Sequence, residues 1–172
     1  MLSTAGEYFV RELGPAEQFR MDAVGPSGER VFFLFVETGG ERHWFIAEKQ
    51  QVAALAELGE HMLAGAEVEF DEDAVLHIQG RLAEPAELGE ATFRVGDLRL
   101  GLRENEMVSV ILESIDDDDE SANFIIAPEQ LQAASIHAMK IVAAGRPLCP
   151  RCAEAINPGE YHQCPEVDPN LN

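Results

Sequence analysis

Apolar residues along the chain follow two periodic patterns, strand-like in some stretches and helical in others. Val31–Val36 is apolar at every position, with Val31, Phe33 and Phe35 on one face and Phe32, Leu34 and Val36 on the other. That pattern predicts a central strand covered on both sides. Gly39-Gly40 predicts a turn after it, and a second apolar run at Trp44–Ile46 predicts the returning strand. Ahead of them, Gln18–Val24 alternates weakly and ends in the turn cluster Gly25-Pro26-Ser27-Gly28. The next stretch, EKQQVAALAELGEHMLAG, is rich in helix formers and carries Val52, Leu55, Leu58, Met62 and Leu63 at helical spacing. The first half therefore reads β-β-β-α.

The second half repeats that order. Phe93-Arg94 echoes Phe19-Arg20, Leu98, Leu100 and Leu102 alternate with polar positions, and Met107–Glu113 stands where Val31–Glu37 stood. Asn123–Ile126 then leads into APEQLQAASIHAMKIVAAG, and setting Ala47 against Ala127 pairs Gln50 with Gln130 and Gly65 with Gly145. Pro128 suits a first helical turn, where its missing N–H would have had no partner. Gly65 and Gly145 fall where a glycine would stop each helix. The resulting fold class is α+β: two related β-β-β-α halves, about 18–65 and 91–145, forming a mainly antiparallel sheet packed by two helices. The acidic connector 66–90 is expected to be irregular, with one short strand near Val75–Ile78. Asp116–Glu120 reads as a charged hairpin tip, since a calcium loop would need a glycine turn that is missing.

Composition narrows the function classes. A chain of 172 residues, 46% hydrophobic, can bury a core without disulfides or metal. Its net charge of −20 comes from 32 acidic against 12 basic residues, and no window concentrates the basic ones. General nucleic-acid binding and attraction to anionic lipid both need clustered Lys and Arg, so both are excluded as expectations. The opening MLSTAGEYFVREL lacks the basic region and apolar run of a signal peptide, and no stretch is long and apolar enough to span a bilayer. The expectation is a cytoplasmic protein with no membrane association.

The chemistry concentrates near the end of the chain. All three cysteines lie in CPRCAEAINPGEYHQC, a C-P-x-C knuckle followed by an Asn157-Pro158-Gly159 turn and then His162-Gln163-Cys164. Cys149, Cys152, His162 and Cys164 form a candidate ligand set, because thiolates and imidazole suit zinc and four of them close a tetrahedral shell. The C-x-x-C spacing aims backbone N–H groups at the first sulfur. His-x-Cys is tighter than the spacing common in zinc fingers, and without His162 the fourth position would be open. A redox C-x-x-C would sit between a strand and a helix rather than in a loop-rich tail. His43, His61, His77 and His137 show no ligand spacing, and no nucleophile or phosphate-loop motif is present. Arg20 and Arg94, on the repeated Phe-Arg positions, with Arg99 and Lys49 nearby, form a candidate clamp for an anion between the halves.

The motifs GERVFFLFVETGGERHWFIAEKQQVAALAE, FRVGDLRLGL and IVAAGRPLCPRC before HxCP resemble the bacterial domain-of-unknown-function family numbered 3090, over nearly the whole chain. Ala153 after the knuckle and the Asp116–Glu120 run depart from it, but neither touches a proposed ligand. The resemblance implies the same boundaries and Cys3His set, and assigns no catalytic residue. The organisation expected is a body over 1–146, a zinc knuckle over 147–166 and a tail over 167–172. The functional reading is a non-enzymatic binding or adaptor protein with protein partners and one structural zinc per chain. The alternative is an enzyme or binding protein for a small phosphorylated metabolite, with its site between the halves.

Overall fold

The structure, a computed structural model, describes residues 8–145, 149–152, 154, 156 and 161–165. In chain order its elements are β1 (Phe9–Pro15), β2 (Gln18–Val24), β3 (Val31–Thr38), β4 (Glu41–Ala47), α1 (Lys49–Gly65), α2 (Glu72–Leu82), β5 (Ala91–Leu102), β6 (Val108–Ser114), β7 (Glu120–Ile126) and α3 (Pro128–Ala143). The described residues form an α+β fold: one seven-stranded, mostly antiparallel sheet in the order β1-β7-β6-β5-β4-β3-β2, with three helices.

β3 is covered on both faces, as its double-sided apolar run predicts: Leu34 and Val36 on one side and Phe33 on the other are fully buried. The β3–β4 hairpin closes at Gly39-Gly40, both with positive φ (55° and 80°), the pair of left-handed positions that a tight hairpin turn demands. β1 and α2 were not expected. Val75–Ile78 is helical rather than a strand, because Asp71 caps α2 by accepting from the backbone N–H groups of Asp73 and Ala74. Val75 and Leu82 then bury a narrow stripe against Ala133 of α3. The seam of α1 also differs from the expected one. Val52, Leu55, Ala56, Gly59 and Leu63 are buried while Leu58 is exposed, because the helix faces α3 through Gly59. A Cβ on Gly59 would lie 2.9 Å from Leu131 Cδ1. Gly65 is the last residue of α1 rather than its stop, and the left-handed position after it is taken by Glu67 (φ 51°).

β1 and β2 lie at opposite ends of the strand order although only Ala16 and Glu17 separate them. Ala16 N–H donates to Ile125 O in β7 and Glu17 N–H donates to Glu37 O in β3. The sheet therefore curls until its two ends meet at this junction. β5 plays the same double part within one strand: Phe93-Arg94 runs parallel to Phe45-Ile46 of β4, and Leu98–Leu102 runs antiparallel to β6.

The pairing registers of the two halves correspond at several positions. Gly14-Pro15 pairs with Phe124-Ile125 as Phe93-Arg94 pairs with Phe45-Ile46, and a register shift precedes both pairs. Phe19 faces Val36 as Leu98 faces Leu112, and Arg20 faces Phe35 as Arg99 faces Ile111. The expected equivalence of Phe19-Arg20 with Phe93-Arg94 is thus corrected: Arg20 corresponds to Arg99, and Arg94 to Pro15. The helix alignment moves by one residue as well. Gln51, not Gln50, corresponds to Gln130, since each accepts from the N-cap backbone (Glu48 N–H at 2.7 Å, Ala127 N–H at 2.8 Å). Each also donates to backbone carbonyls of the other half, Gln51 to Val95 O and Gly96 O in β5 and Gln130 to Ala16 O at the β1–β2 junction. The buried core draws on both halves together, with Phe45, Val52 and Leu55 packed in one cluster with Phe124, Leu131 and Ala134.

Candidate metal centre

The chain leaves α3 through Ala144 and Gly145, and the cysteine knuckle begins four residues on. Cys149 N–H donates to Glu154 O at 2.8 Å, which turns the chain back on itself. The backbone N–H groups of Cys152 and Arg151 point at the Cys149 sulfur and hold its thiol down to about 6. The C-P-x-C spacing predicts this arrangement. The Cys152 thiol moves the other way, to about 11: the Glu154 backbone favours its thiolate, but burial and the adjacent Cys149 and Cys164 sulfurs outweigh that contact. The Cys149 and Cys152 thiols oppose each other's ionisation, because one thiolate raises the cost of the next.

The ligand atoms of Cys149, Cys152, His162 and Cys164 all lie within 4.8 Å of one another, and Cys152 Sγ is 3.2 Å from His162 Nε2. A tetrahedron with metal–sulfur bonds of about 2.3 Å has edges of roughly 3.8 Å, so one ion fits among the four donors. Cys149 is buried and the other three are half-buried. The short His-x-Cys spacing does not keep His162 out of the group. The Asn157-Pro158-Gly159 turn lies outside the described residues. Among those residues the Cys3His group is the one cluster that could hold a metal ion, and the Asp116–Glu120 run is a β6–β7 turn braced by Ser114 Oγ.

The four other candidate residues occupy separate places. Arg20 donates from Nε to Asp22 Oδ2 at 2.7 Å and from Nη2 to the backbone carbonyls of Leu82 and Glu84, which pins the end of α2 to β2. Arg99 is exposed and ion-paired with Glu113. Arg94 is exposed on β5, which β3 and β4 separate from β2 in the sheet. Lys49 is the exposed first residue of α1. A clamp built from Arg20 and Arg94 is therefore not assembled, since the strands that carry them are not equivalent and Arg20 already has its partners.

Reading the sequence missed a buried polar cluster. Asp22 accepts from Ala23 N–H at 2.8 Å, and its Oδ2 lies 2.9 Å from His137 Nε2 on α3 as well as next to Arg20. Burial pushes the Asp22 carboxyl up, but the His137, Ala23 and Arg20 contacts outweigh it and hold the group below the ordinary carboxylate range. An acidic residue between Met21 and Ala23, in the otherwise apolar second half of β2, was the available signal.

A curled, internally repeated α+β body followed by a Cys3His cluster defines an α+β protein with a C-terminal candidate metal centre. No helix among the described residues is long and apolar enough to cross a membrane. The chain belongs to the DUF3090 family, described as proteins of unknown function, whose pattern matches residues 12–164. No curated protein and no solved structure matches the chain.

Proposed function

We propose that this DUF3090 protein is a non-enzymatic binding protein whose Cys149, Cys152, His162 and Cys164 hold one structural zinc ion. The observation that carries the reading is the convergence of four protein donors, three sulfurs and one imidazole nitrogen, within 4.8 Å. Four such ligands complete a zinc shell and leave no coordination position for a substrate, which is the pattern of a structural site. The metal would order a segment that has little apolar surface of its own. The acidic field of the chain, −20 overall, favours a partner with a basic surface and speeds encounter with it.

Elemental analysis of the purified protein is expected to give about one zinc per chain, falling at least severalfold in Cys149→Ser and Cys164→Ser. Absence of zinc, or iron in its place, would overturn the metal assignment. A reproducible turnover that is lost with the metal would overturn the structural role.

A further inference from the structure

We infer that Arg30, Lys49 and Gly145 form a binding site for a doubly charged oxyanion, of the chemical class of a phosphoryl group on a small molecule. Lys49 Nζ and Arg30 Nη2 converge on one point: they lie 3.0 Å and 3.3 Å from the position that a Cβ on Gly145 would occupy. The same residues, with Gly28 and Phe32, line a cavity of about 160 Å³. Liquid water takes about 30 Å³ per molecule, so the space admits a tetrahedral oxyanion and not merely one water.

What distinguishes this cavity is that two cations meet in it. Among the described residues neither Arg30 nor Lys49 makes an ion pair, so both charges remain available to a ligand in a chain of 32 acidic and 12 basic residues. Glu29 and Glu48 precede the two cations directly in sequence and still make no ion pair with them. Val142 O lies 3.5 Å from the same point, but one neutral carbonyl only partly offsets two like charges, and an anion between them would offset both.

Arg30 is also held in place. Its Nη1 donates to Ile141 O at 2.8 Å in the last turn of α3, and its guanidinium lies 5.0 Å over the Phe32 ring. Nη2 is thereby aimed into the cavity by two fixed contacts. A planar guanidinium fork beside an ammonium point charge is a recurrent pairing for phosphoryl oxygens. Gly145 supplies the space, because any side chain there would occupy the point where the two cations meet.

The test is an amide NMR titration of the full chain with inorganic phosphate at constant ionic strength, with acetate as a singly charged control. The expected result is saturable shifts centred on Gly28, Lys49 and Gly145, at least tenfold weaker affinity in Lys49→Gln, and weaker binding still in Arg30→Gln. Lys49 is exposed, so Lys49→Gln leaves the fold intact and keeps the test decisive even if Arg30→Gln unfolds. Absence of saturable shifts, unchanged affinity in Lys49→Gln, or acetate binding as tightly as phosphate would each overturn the assignment.

Discussion

Asp22 shows how a single polar residue can be placed inside a strand without weakening it. Its relative exposure is 4%, and its carboxylate meets three donors: Arg20, the Ala23 N–H and His137. The cluster joins β2 to α3 and, through Arg20, to the end of α2. Asp22→Asn is expected to cost about 3 kcal/mol at neutral pH, the lower end for breaking a buried ionic contact. Because its folded-state value is depressed, the stability it supplies is fully present above the ordinary Asp range near ~3.9 and is lost as pH falls through the lower folded value. Urea midpoints should therefore differ between wild type and variant at pH 7 and converge in acid. A gap that persists undiminished in strong acid would show that the loss is steric.

At the level of elements, the repeated unit is held together by equivalent glutamines. Gln51 and Gln130 each start a helix by accepting from the N-cap backbone, and each reaches across to carbonyls of the other half. Neither N-cap supplies a side-chain cap, which leaves the glutamine amide as the fastening at each start. Removing a side chain that makes two or more partly buried hydrogen bonds costs about 1–3 kcal/mol. Gln51→Ala and Gln130→Ala are expected to lower stability by this amount and by similar degrees, measured by thermal unfolding. Gln50→Ala, one residue from the clamp, should change little. A large effect from Gln50→Ala with none from Gln51→Ala would contradict the pairing of halves described above.

For the molecule as a whole, the core lies apart from the candidate metal cluster. Among the described residues the large fully buried side chains, Phe33, Phe45, Phe124 and Leu131 among them, belong to the curled body. Zinc-finger peptides that lack another core gain about 10–16 kcal/mol from their metal, but this body has a core already. Treatment with a strong chelator is expected to leave the main unfolding transition within a few degrees of its original position. It should also raise the alkylation rate of Cys152 and Cys164 severalfold. Loss of the main transition on chelation would show that the knuckle supports the body.

Much of this was readable from local pattern. The double-sided run of β3, the Gly39-Gly40 turn, Pro128 at the first turn of α3 and the candidate donor set Cys149, Cys152, His162 and Cys164 each depend on neighbours in the chain. Spacing and residue type suffice for such features. The features that were missed depend on distant partners. β1 is an exposed stretch whose strand character comes from pairing with β7, far along the chain. α2 has only a narrow apolar stripe, and α3 supplies the surface that makes it worth burying. Equivalence of the halves was visible as element order, yet the one-residue shift at Gln51 and the match of Arg20 with Arg99 required strand register. The convergence of Arg30 and Lys49 beside Gly145 joins a turn, a helix start and a helix end. The sequence by itself therefore determined most of the elements and the four donors of the C-terminal cluster, because those follow from short-range periodicity and donor chemistry. Tertiary structure alone decided the closure of the sheet, the partners of Arg20 and Asp22 and the convergence of Arg30 and Lys49, because these depend on which surfaces meet when the core is buried.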